Sequence, residues 1–432
     1  MMMKMESLGK VNVSFVTLGC KLNYAETSSI ERDFVKAGCT ACGWREACDI
    51  YVVNTCAVTE TSEKKCRSFI RKLHRISPSA WIVVTGCYAQ LRKESISAID
   101  GVKYVFDSKS KGRIAHTVLS DYVRETGARL SVPEEKEDFG GFFPAYSSGE
   151  ERTRAFLKVQ DGCDYHCTYC TVWIARGESR NAPVAKVVEE ASAIAAAGVK
   201  EIVLTGVNTG DFGKTTGETF LSLLKALDAV GGIERYRISS IEPNLLGEET
   251  IDWIVSGTKF MPHFHIPLQS GSDRILKQMG RRYSRADFFR KLDYVRNAFL
   301  RHAGIPVFFG IDVIAGFPGE TEEDFMLTYS LLEEVRPAFL HVFPYSKRPG
   351  TIAAVLSGQI PAGVKDSRVE RLIALSDRLH SDFIRENAGR KEQVLFESTD
   401  KAGKMYGYTR NYIRVEHPFD PDLIGKIVEV EI

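Results

Sequence analysis

Three short runs of apolar and β-branched residues, at 11–17, 49–54 and 81–84, punctuate the first hundred positions and read as strands. Each ends in a turn that carries a cysteine: Leu18-Gly19-Cys20-Lys21-Leu22-Asn23, Asn54-Thr55-Cys56, and Thr85-Gly86-Cys87. A helical stretch begins near Glu26. Between the second and third strands Cys66, Phe69, Ile70 and Leu73 fall at i, i+3, i+4 and i+7, one apolar helix face, with Lys64, Arg67, Arg71 and Arg75 opposite. Strand alternating with helix predicts an open parallel α/β domain, in which ligands bind outside the carboxyl ends of the strands.

From Arg154 the alternation resumes. Strands are expected at 155–159, 201–205, 235–240, 263–266, 307–314 and 338–343. The intervening helices run from Pro183 to Gly198 and near 219–230, 248–256, 284–302 and 321–335. This pattern predicts an incomplete (βα)6 barrel. After an amphipathic helix around 365–388, short strands at 393–397, 405–408, 413–415 and 425–432 predict a small antiparallel β-barrel. The fold class is therefore α/β, with an N-terminal domain over 1–125, a polar linker over 126–150, the barrel over 151–388 and the β module over 389–432.

The densest chemistry lies in Cys163-Asp164-Tyr165-His166-Cys167-Thr168-Tyr169-Cys170, three thiols within eight residues. Thiolates are the ligands of iron–sulfur clusters, and three of them leave one iron of a [4Fe–4S] cube open. An open iron can chelate S-adenosylmethionine and pass one electron into its sulfonium, releasing a 5′-deoxyadenosyl radical. The spacing, with Tyr169 before the last cysteine, resembles the radical-SAM superfamily. Zinc is a poorer fit, because it normally takes four ligands. Cys20, Cys56 and Cys87, each after a strand's carboxyl end, can converge to bind a second cluster. Cys39, Cys42, Cys48 and Cys66 are expected to be structural or adventitious.

Polar groups at the carboxyl ends of the barrel strands are the candidates for S-adenosylmethionine. Thr205, Gly206 and Asn208 lie after the second strand; Gly206 would let main chain approach the amino-acid end. Ser239 and Glu242 are placed to bond a ribose hydroxyl, Gln269 follows the fourth strand, and Asp312 and Gly316 flank an apolar stretch suited to adenine. For RNA, the candidates are Arg67 and Arg71 on the basic helix face. If 406–414 is extended, Tyr406, Tyr408, Arg410, Tyr412 and Arg414 share a face whose rings suit base stacking and whose cations suit phosphates. Thr321 with Asp324 also reads as a helix N-cap with its first-turn acid.

Composition narrows the class. The 432 residues are 44% hydrophobic and 26% charged, ordinary for globular domains, and the net charge of +1 excludes a globally basic nucleic-acid binder. No run approaches a membrane span, and Met1 to Ser7 contain no apolar segment of signal length, so a cytoplasmic location and no membrane partner are expected. In reducing cytosol, ten cysteines point to metal ligation rather than disulfides.

Taken together, the three strand-end cysteine motifs, the Cys163/Cys167/Cys170 loop, Phe317-Pro318-Gly319-Glu320-Thr321, Phe343-Pro344-Tyr345-Ser346 with Arg348-Pro349-Gly350-Thr351, and a terminal TRAM-like module resemble the radical-SAM methylthiotransferases. Gly19-Cys20-Lys21-Leu22-Asn23 is most similar to the branch acting on N6-threonylcarbamoyladenosine at position 37 of tRNA. The isopentenyladenosine branch more usually has Gly-Cys-Gln-Met-Asn, and the ribosomal-protein branch Gly-Cys-Pro-Lys-Asn. The resemblance implies replacement of the adenine C2–H by a methylthio group, two [4Fe–4S] clusters, and S-adenosylmethionine as both radical source and methyl donor. It also implies binding of the anticodon stem-loop and an electron donor such as flavodoxin or ferredoxin. C2–H is too weakly acidic for a side-chain base, which is why a radical is needed. The alternatives are an isopentenyladenosine tRNA or ribosomal-protein substrate, and a non-enzymatic iron–sulfur RNA-binding redox sensor.

Overall fold

The computed structural model describes residues 10–147, 153–398 and 402–432. The expected absence of a signal segment at Met1 to Ser7, and the linker–barrel boundary at 150–151, lie outside the described residues.

The N-terminal domain runs β1 (Asn12–Thr17), α1 (Lys21–Lys36), β2 (Thr40–Ala41), β3 (Ile50–Thr55), α2 (Glu60–Ile76), β4 (Trp81–Gly86), α3 (Cys87–Leu91), α4 (Lys93–Ser97), β5 (Val102–Val105) and α5 (Ile114–Thr126). Its strands form a parallel sheet in the order β2-β1-β3-β4-β5. β3 is buried along its whole length, as a strand covered on both faces must be, and this explains its unbroken apolar run. β2 and β5 escape the sequence pattern because they are short, partly exposed edges. α1 starts at once after Cys20, earlier than its charged residues indicate, because Leu22, Ala25, Ile30 and Phe34 supply its buried face.

The polar stretch after α5 is anchored rather than free. Phe142, Phe143 and Ala145 are buried, and β6 (Ala145–Tyr146) pairs antiparallel with the first barrel strand. The barrel then runs β7 (Arg154–Lys158), α6 (Val172–Arg176), α7 (Val184–Ala196), β8 (Glu201–Thr205), α8 (Phe220–Asp228), β9 (Arg235–Ile238), α9 (Glu248–Val255), β10 (Phe260–Gln269), α10 (Asp273–Met279), α11 (Arg285–Ala303), β11 (Phe308–Ala315), α12 (Glu322–Val335), β12 (Phe339–Pro344) and α13 (Ala362–Asn387). β7 to β12 are parallel neighbours in sequence order, and the sheet stays open between β12 and β7. α1 packs on β6 and β7, so the N-terminal domain covers that side.

The C-terminal module, β13 (Lys391–Phe396), β14 (Lys404–Thr409), β15 (Arg414–Pro418) and β16 (Ile427–Glu431), is a four-stranded antiparallel sheet in the order β15-β14-β13-β16. Residues 406–414 are not one extended strand. They turn between β14 and β15, where Tyr412 adopts a left-handed φ of 66°, the Thr409 carbonyl accepts from the Tyr412 amide and the Thr409 amide donates to the Ile413 carbonyl. Buried Asn411 fixes the turn by donating to the Pro306 carbonyl and the Asn387 side chain. The module docks on the amino ends of the barrel strands: Arg235 donates to the carbonyls of Tyr408 and Gln393, and Arg237 to those of Thr409 and Arg410. No helix among the described residues is long and apolar enough to cross a membrane.

Between the N-terminal domain and the barrel lies a fully enclosed ionic cluster. Glu26 of α1 meets Lys111, Lys158 and Arg176, while Asp161 meets Lys158, Arg176 and Arg180. Burial alone would raise the Glu26 carboxyl, but Arg176, Lys111 and Lys158 hold it far below the ordinary range; Lys158, Arg176 and Arg180 do the same to Asp161. A second buried pair, Arg348 after β12 with Glu63 of α2, ties the same two domains.

Removing one partner strands a buried charge. Glu26→Ala or Asp161→Ala is expected to cost ~3–5 kcal/mol in denaturant unfolding. Both carboxyls bind protons more weakly folded than unfolded, so their contribution is complete above about pH 5 and is lost as pH falls. Asp161→Asn should accordingly flatten the acid side of a melting-temperature profile; an unchanged acid limb counts against this account.

Candidate functional site

The auxiliary thiol set is assembled by polar residues of the strand-end motifs. Cys20 sits as the N-cap of α1, Cys56 just past β3, and Cys87 opens α3. Asn23 donates to the Thr55 carbonyl at 3.0 Å and Asn54 to the Asn23 carbonyl at 3.1 Å. Thr55 in turn donates to the Thr85 carbonyl at 2.6 Å and accepts from the Ala89 amide. Three loops far apart in sequence are thus stitched side by side, and Cys20, Cys56 and Cys87 become electrostatic neighbours. Cys66 lies nearby but donates its S–H toward the Cys56 carbonyl at 3.6 Å, which turns it away. Cys42 and Cys48 are joined as a disulfide, against the expectation that no disulfide forms.

Cys163, Cys167 and Cys170 occupy the loop between β7 and α6 and are likewise mutual neighbours. Burial raises the thiols of Cys56 and Cys163 to about 12 and that of Cys170 to about 11. Metal must therefore displace a proton from each. Both sets offer three soft donors and a local cation. Arg281 Nη1 donates to Cys167 Sγ at 3.2 Å, and Arg176 Nε to Cys87 Sγ at 3.3 Å. This donor chemistry fits two iron–sulfur clusters with three protein ligands apiece.

Arg176 and Arg281 were not found from sequence, since neither lies in a cysteine motif. Arg176 spends all its donors: besides Cys87 it reaches Glu26, Asp161 and the Asn23 side-chain oxygen at 2.7 Å. It ends α6, the helix that follows Cys170, and α3 packs against α6. The Thr171 hydroxyl reaches the Ala57 carbonyl at 3.5 Å. The two thiol sets are therefore held on directly contacting elements.

The strand-end candidates divide. Thr205 closes β8, Ser239 follows β9 and Gln269 closes β10 with a left-handed φ of 67°. The Asn208 side chain accepts from the Glu242 amide, and Glu242 is paired with Arg281, linking it to Cys167. Burial pushes the Glu242 carboxyl up despite that pair. Gly206 lies against Gln160, whose side-chain oxygen accepts from the Val207 and Asn208 amides. Asp312 is not at the rim. It lies inside β11, 2.6 Å from His265 and beside His341. Gly316 makes room for Lys365 of α13, and its amide donates to Glu320, whose carboxyl burial raises to about 7. Thr321 caps α12 in a reciprocal pair with Asp324.

The RNA candidates divide as well. Arg414 lies over the Tyr406 ring at 3.7 Å, Arg71 is exposed, and Arg67 donates to the Tyr88 hydroxyl beside Cys87. Tyr408 and Tyr412 stack at 4.7 Å and Tyr412 accepts from Arg154, while Arg410 pairs with Glu392. The last three thus belong to the module's docking contact. A cavity of about 1180 Å³ runs between the domains, lined by Cys20, Lys21, Tyr24, Arg154, Arg237 and Tyr412 among others.

Residues 157–332 match the radical SAM superfamily, and residues 12–107 match "Uncharacterized protein family UPF0004". The chain is 40% identical to the threonylcarbamoyladenosine tRNA methylthiotransferase MtaB of Bacillus subtilis, over 97% of this chain and 93% of that one. It is 34% identical to the protein of that name from Aquifex aeolicus (98% and 100% covered). It is 33% identical to a tRNA-2-methylthio-N(6)-dimethylallyladenosine synthase of Nitratidesulfovibrio vulgaris (96% and 94% covered). In fold it is similar to the radical S-adenosylmethionine methyltransferase TsrM of Kitasatospora setae, with a TM-score of 0.56 and 15% identity over 80% of this chain and 77% of that one.

Two glycines test the two thiol sets separately. A Cβ on Gly86, at φ 100°, would strike the Thr55 backbone, and one on Gly162, at φ 71°, would strike the Glu178 carbonyl. Gly86→Ala and Gly162→Ala are each expected to lower the iron of anaerobically reconstituted protein from about eight to about four per chain. Only Gly86→Ala should still cleave S-adenosylmethionine under dithionite.

Proposed function

From the premise that the chain belongs to the radical-SAM tRNA methylthiotransferase family, we propose that it converts N6-threonylcarbamoyladenosine at position 37 of tRNA to its 2-methylthio derivative. The observation that carries the reading is the contact between α3, which Cys87 opens, and α6, which follows Cys170. Cys163, Cys167 and Cys170 would hold one [4Fe–4S] cluster and Cys20, Cys56 and Cys87 the other. When bound, the first supplies the electron that cleaves S-adenosylmethionine and the second the sulfur that replaces C2–H, a second S-adenosylmethionine giving the methyl group.

The protein's own part is positioning and charge. Arg281 and Arg176 face thiolates of opposite sets, and each charge-assisted bond favours the deprotonated ligand. The Glu242–Arg281 pair lies where the resemblance puts the S-adenosylmethionine ribose, with Thr205, Gly206, Asn208, Ser239 and Gln269 around the same rim. Asp312, deeper in the barrel, is better placed toward the substrate base than toward S-adenosylmethionine.

The C-terminal module reads as TRAM-like, and Tyr406 with Arg414, and separately Arg67 and Arg71, are the groups offered to the anticodon stem-loop. The domain bounds 1–125, 151–388 and 389–432, a cytoplasmic location, and a flavodoxin or ferredoxin donor complete the reading.

The deciding measurement is mass spectrometry of tRNA nucleosides from cells lacking the protein. The methylthio form should vanish while threonylcarbamoyladenosine persists; an unchanged profile overturns the assignment. Purified, reconstituted protein should release 5′-deoxyadenosine under dithionite, and none at all would leave the redox-sensor alternative standing.

A further inference from the structure

Outside the two thiol sets, the described residues bring one group of metal-ligating side chains together: His265 of β10, Asp312 of β11 and His341 of β12. They come from three adjacent parallel strands. Phe264, Ile266, Ile311, Val313 and Leu340 alternate with them and pack in the core beneath the helices, so all three project from the opposite face, into the barrel. Asp312 stands directly beside His341 in the register, and His265 stands beside Gly310, one diagonal step from Asp312.

Gly310 lets the set close. A Cβ there would already touch His341 Nε2 at 3.6 Å, so a longer side chain would take the place of the ring. The two imidazoles therefore approach each other, with ring centroids 4.7 Å apart and planes 34° from parallel. His265 Nε2 lies 2.6 Å from Asp312 Oδ1, and one ligand atom from each of the three residues falls within 4.8 Å of the other two. A hydrogen bond between His265 and Asp312 accounts for two of these groups and leaves out the third. Ligands of one tetrahedral zinc ion lie about 3.4 Å apart, and rotation about side-chain bonds closes that difference.

We propose that His265, Asp312 and His341 form a binding site for a single divalent ion of the zinc class, separate from both thiol sets. Two imidazoles and one carboxylate are the donor set of borderline divalent ions that keep a coordination position open. The side chains of His265 and Asp312 are 21% and 19% exposed, so an ion can reach them, while their strands fix the backbone. Asp312 is also within electrostatic reach of Glu242 at the rim. The open position accordingly belongs to the barrel interior and takes water or another oxygen donor. Lys21, exposed and an electrostatic neighbour of Asp312 and His341, is a cation that an incoming ion must displace. Its long stem gives that ammonium other places to go.

The test uses full-length enzyme carrying both clusters, with zinc as the probe. After zinc is added anaerobically and the excess removed by desalting, one zinc per chain should remain beside about eight irons. Asp312→Asn and His341→Gln should each weaken zinc binding by at least about 100-fold, the most that loss of an outer-shell partner costs, with iron content unchanged. X-ray absorption at the zinc edge should show nitrogen and oxygen neighbours at about 2.0 Å and no sulfur at about 2.3 Å.

Wild-type enzyme that retains no zinc overturns the proposal whether or not a variant folds. Sulfur at the zinc edge overturns it as well, since the ion then sits on free thiols such as Cys39 or Cys66. Undiminished zinc binding by either variant does the same. None of these outcomes depends on which modified adenosine the enzyme serves.

Discussion

One guanidinium holds the architecture together. Arg176, at the end of the short helix after the Cys163–Cys170 loop, bonds Glu26 and Asp161 at the domain seam and the Cys87 sulfur beyond it. A planar fork with five donors can serve several acceptors at once; a lysine in its place could not. Around it, four cations face two carboxylates, all enclosed: Lys111, Lys158, Arg176 and Arg180 against Glu26 and Asp161. The surplus is positive and lies next to thiols that must ionise to bind iron. Such a cluster is weak evidence for net stability, since desolvation offsets most of the attraction. Its value is positional, because it satisfies its charges in one docking arrangement of the two domains.

That docking brings the elements of the two three-cysteine motifs into contact. The thiol sets come from different folds, one from an open parallel sheet and one from the barrel's first loop. Their elements touch through α3 and α6, and Thr171 reaches the carbonyl next to Cys56. The Glu63–Arg348 pair repeats the link on another side, which gives the Arg348-Pro349-Gly350-Thr351 motif a structural purpose. At the opposite end the C-terminal module contributes Tyr412 to the cavity wall, so all three parts of the chain border one space.

Many motif residues act on the backbone rather than on substrate. The side chains of Asn23, Asn54 and Thr55, the last on the Thr85 carbonyl, knit the cysteine loops together. Glu320 and Thr321 hold the turn after β11. The side chains of Asn23, Asn54, Thr55 and Glu320 are buried, where an unmade hydrogen bond is expensive, and this is why such short motifs mark the site so clearly.

The sequence by itself determined the alternation of strands and helices, the grouping of six thiols into two sets of three and the class of cofactor such a donor set suits. Period, turn chemistry and ligand spacing are local, so they survive in one dimension. It also exposed the strand-end polar residues, though not which of them reach the rim: Asp312 lies deeper, and Gly316 serves Lys365. The short edge strands β2 and β5 and the break in 406–414 were hidden, because pairing partners and the anchoring of Asn411 lie elsewhere in the chain. Only the tertiary structure decided that Arg176 and Arg281 serve thiols more than 80 residues away, 89 for Cys87 and 114 for Cys167. It alone gave Arg154 and Arg237 their partners, since whether a charge is satisfied depends on what folding brings within about 4 Å of it.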